Sequence, residues 1–414
     1  MLDRPISYPA VLSVALCVLL GLRINALPFA PVAGLAGIAL LPALVPHLRR
    51  YRLVPTLLVL LAASVVAGAI LTALSGDTHA VSISVAVSRS VMVLALIGGI
   101  GVVLYARDHI GAAPAAVAYG VGMVGAIALE PVSTVNAWRF SFSIPLAILV
   151  LAVLSLRARL LPQVTALIAL GLIGVLNDAR SNSAMLFLAA VVLLWQRFTQ
   201  AVAQGRRRAG HVVGLVLFAA GFVQLMQFSL LEGYFGEATQ AKSEAQIQAS
   251  GNLLLGGRPE AAASFALITR YPLGLGSGVQ PTGADVYAAK TSMSAIGYDP
   301  NNGYVENFMF GDGIEVHSML ADFWLWFGWA GLAACLVMVL IVVLSAEDRL
   351  RSATMTGLLA YLSIRFFWDL LFSPASSSMK LLTLLLPLAV LAVSAVAQPR
   401  PPSTRTAAGI GSYR

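Results

Sequence analysis

Arg258 and His317 lie in or beside the longest polar stretch of an otherwise hydrophobic chain, from about residue 231 to residue 316. Histidine gains and loses a proton near neutral pH, so His317 can serve as a general base. Arg258 follows a double glycine and opens a predicted helix, where a guanidinium and unpaired backbone N–H groups favour an anion. We therefore predict proton transfer and anion binding here, the alternative being an interfacial histidine and a surface arginine.

A third candidate, Arg180, stands where two predicted membrane spans meet, in the segment NDARSNSAM. An arginine at a membrane edge can simply extend its charged head to water. The amide, carboxylate and hydroxyl side chains around Arg180 in the sequence instead favour a polar pocket. We predict that Arg180, Arg258 and His317 carry the chemistry of this protein.

Four further charged residues, Arg89, Arg270, Asp322 and Arg365, are predicted as secondary substrate-binding groups. Arg89 is flanked by serines near one end of its span, and Asp322 lies inside an apolar helix, where a carboxylate is costly without a polar partner. Arg365 stands four residues before Asp369, so these two can instead form a structural pair on one helix face. Arg270 precedes a Tyr-Pro break and is also explained as a helix C-terminal charge.

Several motifs of metal and nucleotide chemistry are missing from the sequence. It has no Gly-rich phosphate loop ending in Lys-Ser or Lys-Thr, no HExxH, no Asp-x-Asp pair and no Cys/His cluster with metal-ligand spacing. We therefore predict a reaction that uses neither a metal ion nor another cofactor. Cys17 and Cys335 both lie in apolar runs, so a disulfide framework is not predicted.

The elements that must position these residues are membrane helices. Of the 414 residues, 59% are hydrophobic and 11% are charged, whereas soluble domains have about 25% charged residues. Apolar runs near the roughly 20 residues that cross a bilayer predict an all-α polytopic membrane protein with about twelve transmembrane helices and one long extracytoplasmic loop carrying short helices. The predicted spans are 9–26, 29–46, 53–74, 84–106, 110–129, 141–156, 160–177, 182–198, 212–230, 317–344, 352–372 and 380–397.

This pattern divides the chain into four parts. They are nine spans in 1–230, the loop region 231–316, three spans in 317–397 and a proline-rich, disordered tail in 398–414. Within the loop region, a helix is predicted over residues 258–270, and its last residue precedes the Tyr-Pro break. Residues 281–316 contain YDPNNGYVENFMFGDG and are predicted to form an aromatic loop.

The distribution of charge predicts the orientation in the membrane. With a cytoplasmic N-terminus, 16 of the 26 Lys and Arg residues and only four of the 18 acidic residues fall on the cytoplasmic side. Because cytoplasmic loops carry an excess of Lys and Arg, both termini are predicted to be cytoplasmic and the loop region extracytoplasmic. These loops account for the net charge of +8, so membrane lipids are predicted partners and nucleic acid is not.

Three segments, in this order, resemble the bacterial O-antigen ligase and O-antigen polymerase superfamily. DARSNSAMLFLAAVVLLW is similar to the family's Ser-Arg-small stretch that opens a hydrophobic helix. GGRPEAAASFALITRYPLGLGSG is similar to its Gly-Arg, short helix and Pro-Leu-x-Gly-x-Gly. HSMLADFWLWFGWAGL is similar to its His-Asn-x-x-Leu helix, with Gly328 eleven residues after His317 and Ser318 in place of the usual Asn.

The resemblance implies a glycosyltransferase at the outer face of the bacterial cytoplasmic membrane. Its donor is a glycan on a polyprenyl diphosphate, and its acceptor is a sugar hydroxyl on a glycan or glycolipid. Arginines can neutralise the diphosphate leaving group by bidentate contacts without a metal. His317 is then either the general base on the acceptor or a phosphate ligand, and the sequence leaves both these roles and the choice between ligase and polymerase open.

The alternative is a transporter or flippase for lipid-linked glycans, which also needs many spans and buried arginines. Such a protein would line a central cavity with charges at mid-bilayer depth on several helices. Here the charges within the spans gather near predicted outer ends, and the longest polar segment lies outside the spans. This arrangement favours catalysis at the outer face.

Overall fold

The computed structural model describes residues 7–28, 30–157, 159–202 and 259–392. These residues form helices almost throughout, with a short antiparallel hairpin of β1 (Asn25–Leu27) and β2 (Ala30–Pro31). The helices are α1 (Tyr8–Leu22), α2 (Val32–Ala39), α3 (Leu41–Leu48), α4 (Val54–Ser75), α5 (Ile83–Ile110), α6 (Ala112–Ala126), α7 (Ser143–Ser155), α8 (Leu160–Leu176), α9 (Arg180–Val202), α10 (Glu260–Arg270), α11 (Gly283–Ala295), α12 (Met319–Ser352), α13 (Gly357–Phe372) and α14 (Ala375–Ala389). Two π-helical segments, Trp138–Phe142 and Tyr304–Met309, complete the described elements.

Five helical segments of the described chain are long and apolar enough to cross a membrane: Val54–Ser75, Ile83–Ile110, Trp138–Ser155, Arg180–Phe198 and Met319–Ser352. Helices α1, α6, α8 and α14 are apolar but shorter. The predicted helical class is thus confirmed, whereas the count of twelve spans is not established by these helices. The predicted span 212–230 and the tail 398–414 lie outside the described residues.

Two predicted elements differ from the structure because local signals were missed. The predicted span 29–46 is broken into α2 and α3, where Pro42 has no N–H to donate to the turn before it. Part of the predicted loop 281–316 is helical, since α11 begins with a capping box between Thr282 and Asp285. The predicted helix over 258–270 is confirmed for its described part, α10.

Helix α5 forms the centre of the fold. It packs against α1, α2, α3, α4, α6 and α14, and nearly all of its residues from Met92 to Leu104 are buried. A helix that is apolar on every side is expected where neighbours surround it. The other helices are thereby held at fixed positions around α5, and the polar residues at their ends are positioned with them.

The glycine-rich loop after α10 packs into a kink of α12. At the kink Gly328 has φ 59° and ψ −147°, and a Cβ there would lie 2.6 Å from the carbonyl oxygen of Leu273. Only glycine fits such a backbone without strain. Leu275 and Gly276 donate their N–H groups to the Leu325 carbonyl at 2.7 and 3.0 Å. The glycine-rich loop and the helix that follows His317 therefore pack together as one unit.

One end of the helix bundle, which we call the site end, gathers the polar residues singled out in the sequence. It comprises the end of α4 and the starts of α5, α9, α12 and α14, together with the end of α13 and residues 271–282. Contacts join these pieces: Ser82 N donates to Gly278 O at 2.8 Å, and Ser318 Oγ donates to Leu370 O at 3.1 Å. Residues far apart in sequence thus meet at one end.

The opposite end, which we call the basic end, is formed by residues 47–52, 105–111, 349–357 and 387–392. Arg107 donates to the carbonyls of Pro387 and Val390 at 2.6 and 2.9 Å. Arg349 donates to the Leu388 carbonyl at 3.1 Å, and Asp108 accepts from Tyr51 at 2.5 Å. The arginine side chains at this end donate hydrogen bonds to carbonyl groups at the end of α14. Such carbonyls have no partner within the helix.

Candidate active site

His317 occupies an unusual backbone position just before α12. Its φ is 57°, in the left-handed region that non-glycine residues seldom adopt. The neighbours on both sides are anchored: Val316 N donates to Asp322 Oδ1 at 2.7 Å, and Ser318 Oγ donates to Leu370 O. Strained residues held by their surroundings cluster at functional sites. The anchored backbone therefore fixes the direction in which the imidazole of His317 points.

His317 begins a chain of hydrogen bonds through Tyr304 to Glu260. Its Nδ1 lies 2.5 Å from the Tyr304 hydroxyl, which donates to Glu260 Oε1 at 2.6 Å. Tyrosine has a single hydroxyl proton, so Nδ1 of the imidazole must carry its own proton and donate it to Tyr304. The lone pair of the neutral ring then lies on Nε2, which is the tautomer that a general base needs.

Burial keeps the imidazole of His317 neutral. It lowers the pKa of His317 below its usual value, and the negative charges of Glu315 and Glu260 oppose this shift only in part. An unperturbed histidine has a pKa of about 6.5, so His317 is unprotonated at pH 7. A neutral imidazole can accept a proton from a substrate hydroxyl, which favours the base over a protonated phosphate ligand.

Sequence reasoning missed Glu260 and Tyr304. They are 44 residues apart, and Tyr304 is 13 residues from His317, so no local spacing connects the three. Glu260 is 5% exposed, and its Oε2 has no hydrogen-bond partner among the described residues. Tyr304 opens a π-helical segment, a rare element that often marks functional sites. The one available signal was the position of Glu260 two residues after Arg258.

Arg180 is the first residue of α9, at the site end. Its Nε lies 3.4 Å from Asp178 Oδ1, and its side chain is 29% exposed. Two residues further on, Asn182 is buried and accepts from Tyr361 at 2.7 Å and from Arg365 at 3.4 Å. Asn182 therefore joins the start of α9 to polar side chains of α13, and the polar pocket around Arg180 stays a prediction.

Arg365, predicted to bind substrate, forms the alternative structural pair with Asp369. Arg365 Nε lies 3.0 and 3.2 Å from the two oxygens of the carboxylate. Asp369 also accepts from Ser373 at 2.6 Å. The paired arginine holds α9 and α13 together through Asn182, so its first role in the fold is structural.

Arg89 also has a structural role. It donates to the carbonyls of Ser277 and Ile314 at 2.9 and 2.8 Å, and its guanidinium stacks 4.1 Å above the ring of Trp326. Arg89 thereby ties α5 to the glycine-rich loop and to the segment before His317. These contacts position the segment before His317, and the predicted binding of substrate by Arg89 stays a prediction.

Arg270 lies at the last turn of α10, away from His317. Its Nε donates to the Tyr271 hydroxyl at 3.0 Å and lies 3.6 Å from Asp285. Tyr271 donates to Asp285 at 2.5 Å, and His79 Nε2 lies 3.2 Å from the same carboxylate. Burial raises the pKa of Asp285, but hydrogen bonds from Thr282 and Tyr271 outweigh burial and lower it. Arg270 therefore belongs to a cluster that joins α10 and α11 to the connection between α4 and α5.

Asp322, predicted to bind substrate, is a buried backbone clamp. It is 0% exposed, with Oδ1 accepting from Val316 N at 2.7 Å and Oδ2 accepting from Ala375 N at 3.0 Å. The carboxylate thus satisfies one N–H before α12 and one at the start of α14. Asp322 therefore fixes the segment that carries His317, and its predicted binding of substrate stays a prediction.

We expect Asp322→Ala to destabilise the fold strongly. It leaves two buried N–H groups without acceptors, at a cost of roughly 1–3 kcal/mol each. The midpoint of thermal unfolding of the detergent-solubilised protein should fall by several degrees, and Asp322→Asn should fall between it and the native protein. The exposed Asp348 on the same helix supplies the control. Equal midpoints for Asp322→Ala and Asp348→Ala would contradict the clamp.

Arg258, the remaining predicted site residue, lies outside the described residues. In the described part of the chain, no three His, Cys, Asp or Glu side chains are grouped so that they could hold a metal ion. Comparison of this chain with protein-family models, with curated proteins and with solved structures finds no match.

The arrangement around His317 can perform acid–base chemistry at a helix end. A neutral imidazole is oriented by Tyr304, and a buried carboxylate, Glu260, lies behind the tyrosine. When the ring accepts a proton, this chain of groups stabilises the imidazolium that forms. Arg180, at the same end of the bundle, offers a cation that can contact an anionic group.

Proposed function

We propose that this chain is a glycosyltransferase that moves a glycan from a polyprenyl diphosphate to a sugar hydroxyl at the outer face of the bacterial cytoplasmic membrane. The three quoted segments support this assignment by their resemblance to O-antigen ligases and polymerases. The observation that carries it is the chain of hydrogen bonds from Glu260 through Tyr304 to His317. It gives an oriented, neutral base to a chain that lacks the usual metal and nucleotide motifs.

In the proposed reaction, His317 Nε2 accepts the proton of the acceptor hydroxyl as its oxygen bonds to the anomeric carbon of the donor. The bond from that carbon to the diphosphate oxygen breaks, and the polyprenyl diphosphate leaves with the bonding electrons. Arg180 and Arg258 stabilise the charge that develops on the leaving group. Tyr304 and Glu260 hold the protonated His317 until the proton is released to water.

We also propose that the chain crosses the membrane twelve times, with both termini in the cytoplasm. The basic end then faces the cytoplasm, in agreement with the excess of Lys and Arg in its loops. The site end, with His317 and Arg180, faces outward, where lipid-linked glycans would meet their acceptors. Both ends are defined by contacts among the described residues, whereas the side of the membrane is inferred from charge.

Labelling of single cysteines is expected to report this orientation. Tyr287, on α11, and Arg351, at the basic end, are exposed, and the native Cys17 and Cys335 are buried. In intact cells an impermeant maleimide should modify Tyr287→Cys at once and should modify Arg351→Cys only after lysis. The reverse pattern would overturn the orientation and place the site on the wrong side for this reaction.

The function is tested with purified protein in liposomes, a polyprenyl-diphosphate glycan and a glycan or glycolipid acceptor, without ATP or added metal. We expect a product in which the glycan is joined to the acceptor, with one polyprenyl diphosphate released for each bond formed. Movement of the donor across the bilayer without any product would instead support the transporter. Product formation that requires an added divalent cation would contradict the arginine-based mechanism.

A further inference from the structure

A cavity of about 310 Å³ opens at the site end, between the end of α1, the end of α6, the start of α7 and α14. Its charged lining residues are Arg23, Glu130, Arg139 and Lys380. None of these was singled out in the sequence, and the glycosyl transfer described above uses none of them. Pockets that bind small molecules have volumes of roughly 300–1,000 Å³, so this cavity admits a headgroup rather than a long glycan.

The charges of the cavity suit an anion. Three cations face one carboxylate, and among the described residues none of the three cations forms an ion pair with a carboxylate. Lys380 is half-buried and feels the repulsion of Arg23 and Arg365 as well as the attraction of Glu130 and Asp369. The Arg139 guanidinium lies 5.0 Å from the centre of the Phe140 ring, but this contact leaves its charge without a counter-ion. Cations that lack a carboxylate partner and line one cavity are stabilised by an anion that contacts them jointly.

The rim of the cavity is apolar. Val132 and Phe140 line it and are exposed, and Leu129 and Val135, in the same connection between α6 and α7, are exposed as well. An exposed apolar patch beside a charged pocket is typical of a site for a molecule with both characters. A free anion would make no contact with this rim, whereas an alkyl chain attached to the anion would pack along it.

We propose that the Arg23–Arg139–Lys380 cavity binds the phosphate-bearing headgroup of an amphiphile, with the alkyl chain lying along Val132 and Phe140. This inference adds a second site for a phosphate-bearing amphiphile, whose residues differ from Arg180, Arg258 and His317, and its binding test does not require glycan transfer. Arg139 and Lys380 contact the phosphate oxygens from two sides, and Glu130 limits the affinity by its like charge.

The test is saturable binding of ³²P-labelled dodecyl phosphate to the purified full-length protein in an uncharged detergent. Arg139→Gln and Lys380→Met should each weaken binding about tenfold or more, as expected for a lost hydrogen bond to a charged group. Glu130→Gln should tighten binding, because it removes the only carboxylate lining the cavity. This gain cannot result from misfolding, so it keeps the test decisive if a loss variant is unstable. Arg351→Gln, at the basic end, should bind as the native protein does.

Competition experiments distinguish a phosphate carried by an amphiphile from free inorganic phosphate. Unlabelled dodecyl phosphate should displace the probe at far lower concentration than inorganic phosphate, and dodecyl maltoside should not displace it. Displacement by inorganic phosphate and dodecyl phosphate at equal concentrations would overturn the amphiphile in favour of a soluble anion. Binding that does not saturate, or that is the same in all four variants, would overturn the site itself.

Discussion

Replacement of His317 by alanine is expected to lower the turnover of glycan transfer by roughly 10²–10⁴. The alanine variant cannot accept the proton of the acceptor hydroxyl, so the attacking oxygen stays a weak nucleophile. The affinity for the polyprenyl-diphosphate donor should change little, because the arginines hold the diphosphate. Both quantities are measured in the liposome assay by varying the donor concentration. A loss of donor affinity in step with turnover would instead assign His317 to the phosphate.

His109 provides the matched control for this prediction. It is an exposed histidine at the basic end whose Nδ1 lies 2.9 Å from the Tyr105 carbonyl. His109→Ala should retain the turnover of the native protein. A comparable loss in His109→Ala and His317→Ala would show that the assay responds to general damage rather than to the removal of a base.

The pH dependence distinguishes a base from a merely structural histidine. Because burial lowers the pKa of His317, turnover should stay constant down to about pH 6.5, the usual histidine pKa, and fall only in more acid solution. Protonation of the imidazole at low pH removes the lone pair on Nε2. Tyr304→Phe removes the acceptor of the Nδ1 proton, so the imidazolium is less stable and the acid limb should move to lower pH. If the acid limb of the pH profile does not move in Tyr304→Phe, Tyr304 does not act on the base.

Replacement of Arg180 or Arg258 by alanine is also expected to lower glycan transfer strongly. Arg180→Ala and Arg258→Ala should each lower transfer by about ten- to hundredfold, since a hydrogen bond to a charged group contributes roughly 1.5–3 kcal/mol. Arg258→Lys should restore activity only in part, because an ammonium cannot make the planar bidentate contact of a guanidinium. Transfer rates and donor affinities in the same liposome assay check both statements.

Arg157 controls for the removal of a positive charge. It is exposed in the connection between α7 and α8, far from the site end, and Arg157→Ala should transfer glycan at the native rate. Near-native transfer by Arg180→Ala or by Arg258→Ala would show that the arginine only extends its charge to water at the membrane edge. The diphosphate would then need another cation.

Local features of the structure could be predicted from the sequence. The helical class follows from long apolar runs, because a backbone in an apolar environment must satisfy its own hydrogen bonds. The pairing of Arg365 with Asp369 follows from a spacing of four residues on one helix. The end of α10 at Arg270 follows from the Tyr271-Pro272 pair after it, because a proline disfavours helical backbone in the residue before it. Each of these features depends on neighbours within one turn or one span.

Only the tertiary structure decided the partners of the site residues. Tyr304 and Glu260 reach His317 across long stretches of chain, and the roles of Arg89 and Asp322 depend on carbonyl and N–H groups of other elements. A charge inside a helix shows that it needs a partner, but it does not show whether that partner is substrate or backbone. Helix packing makes that choice, because it determines which unpaired groups come within hydrogen-bonding distance of each buried charge.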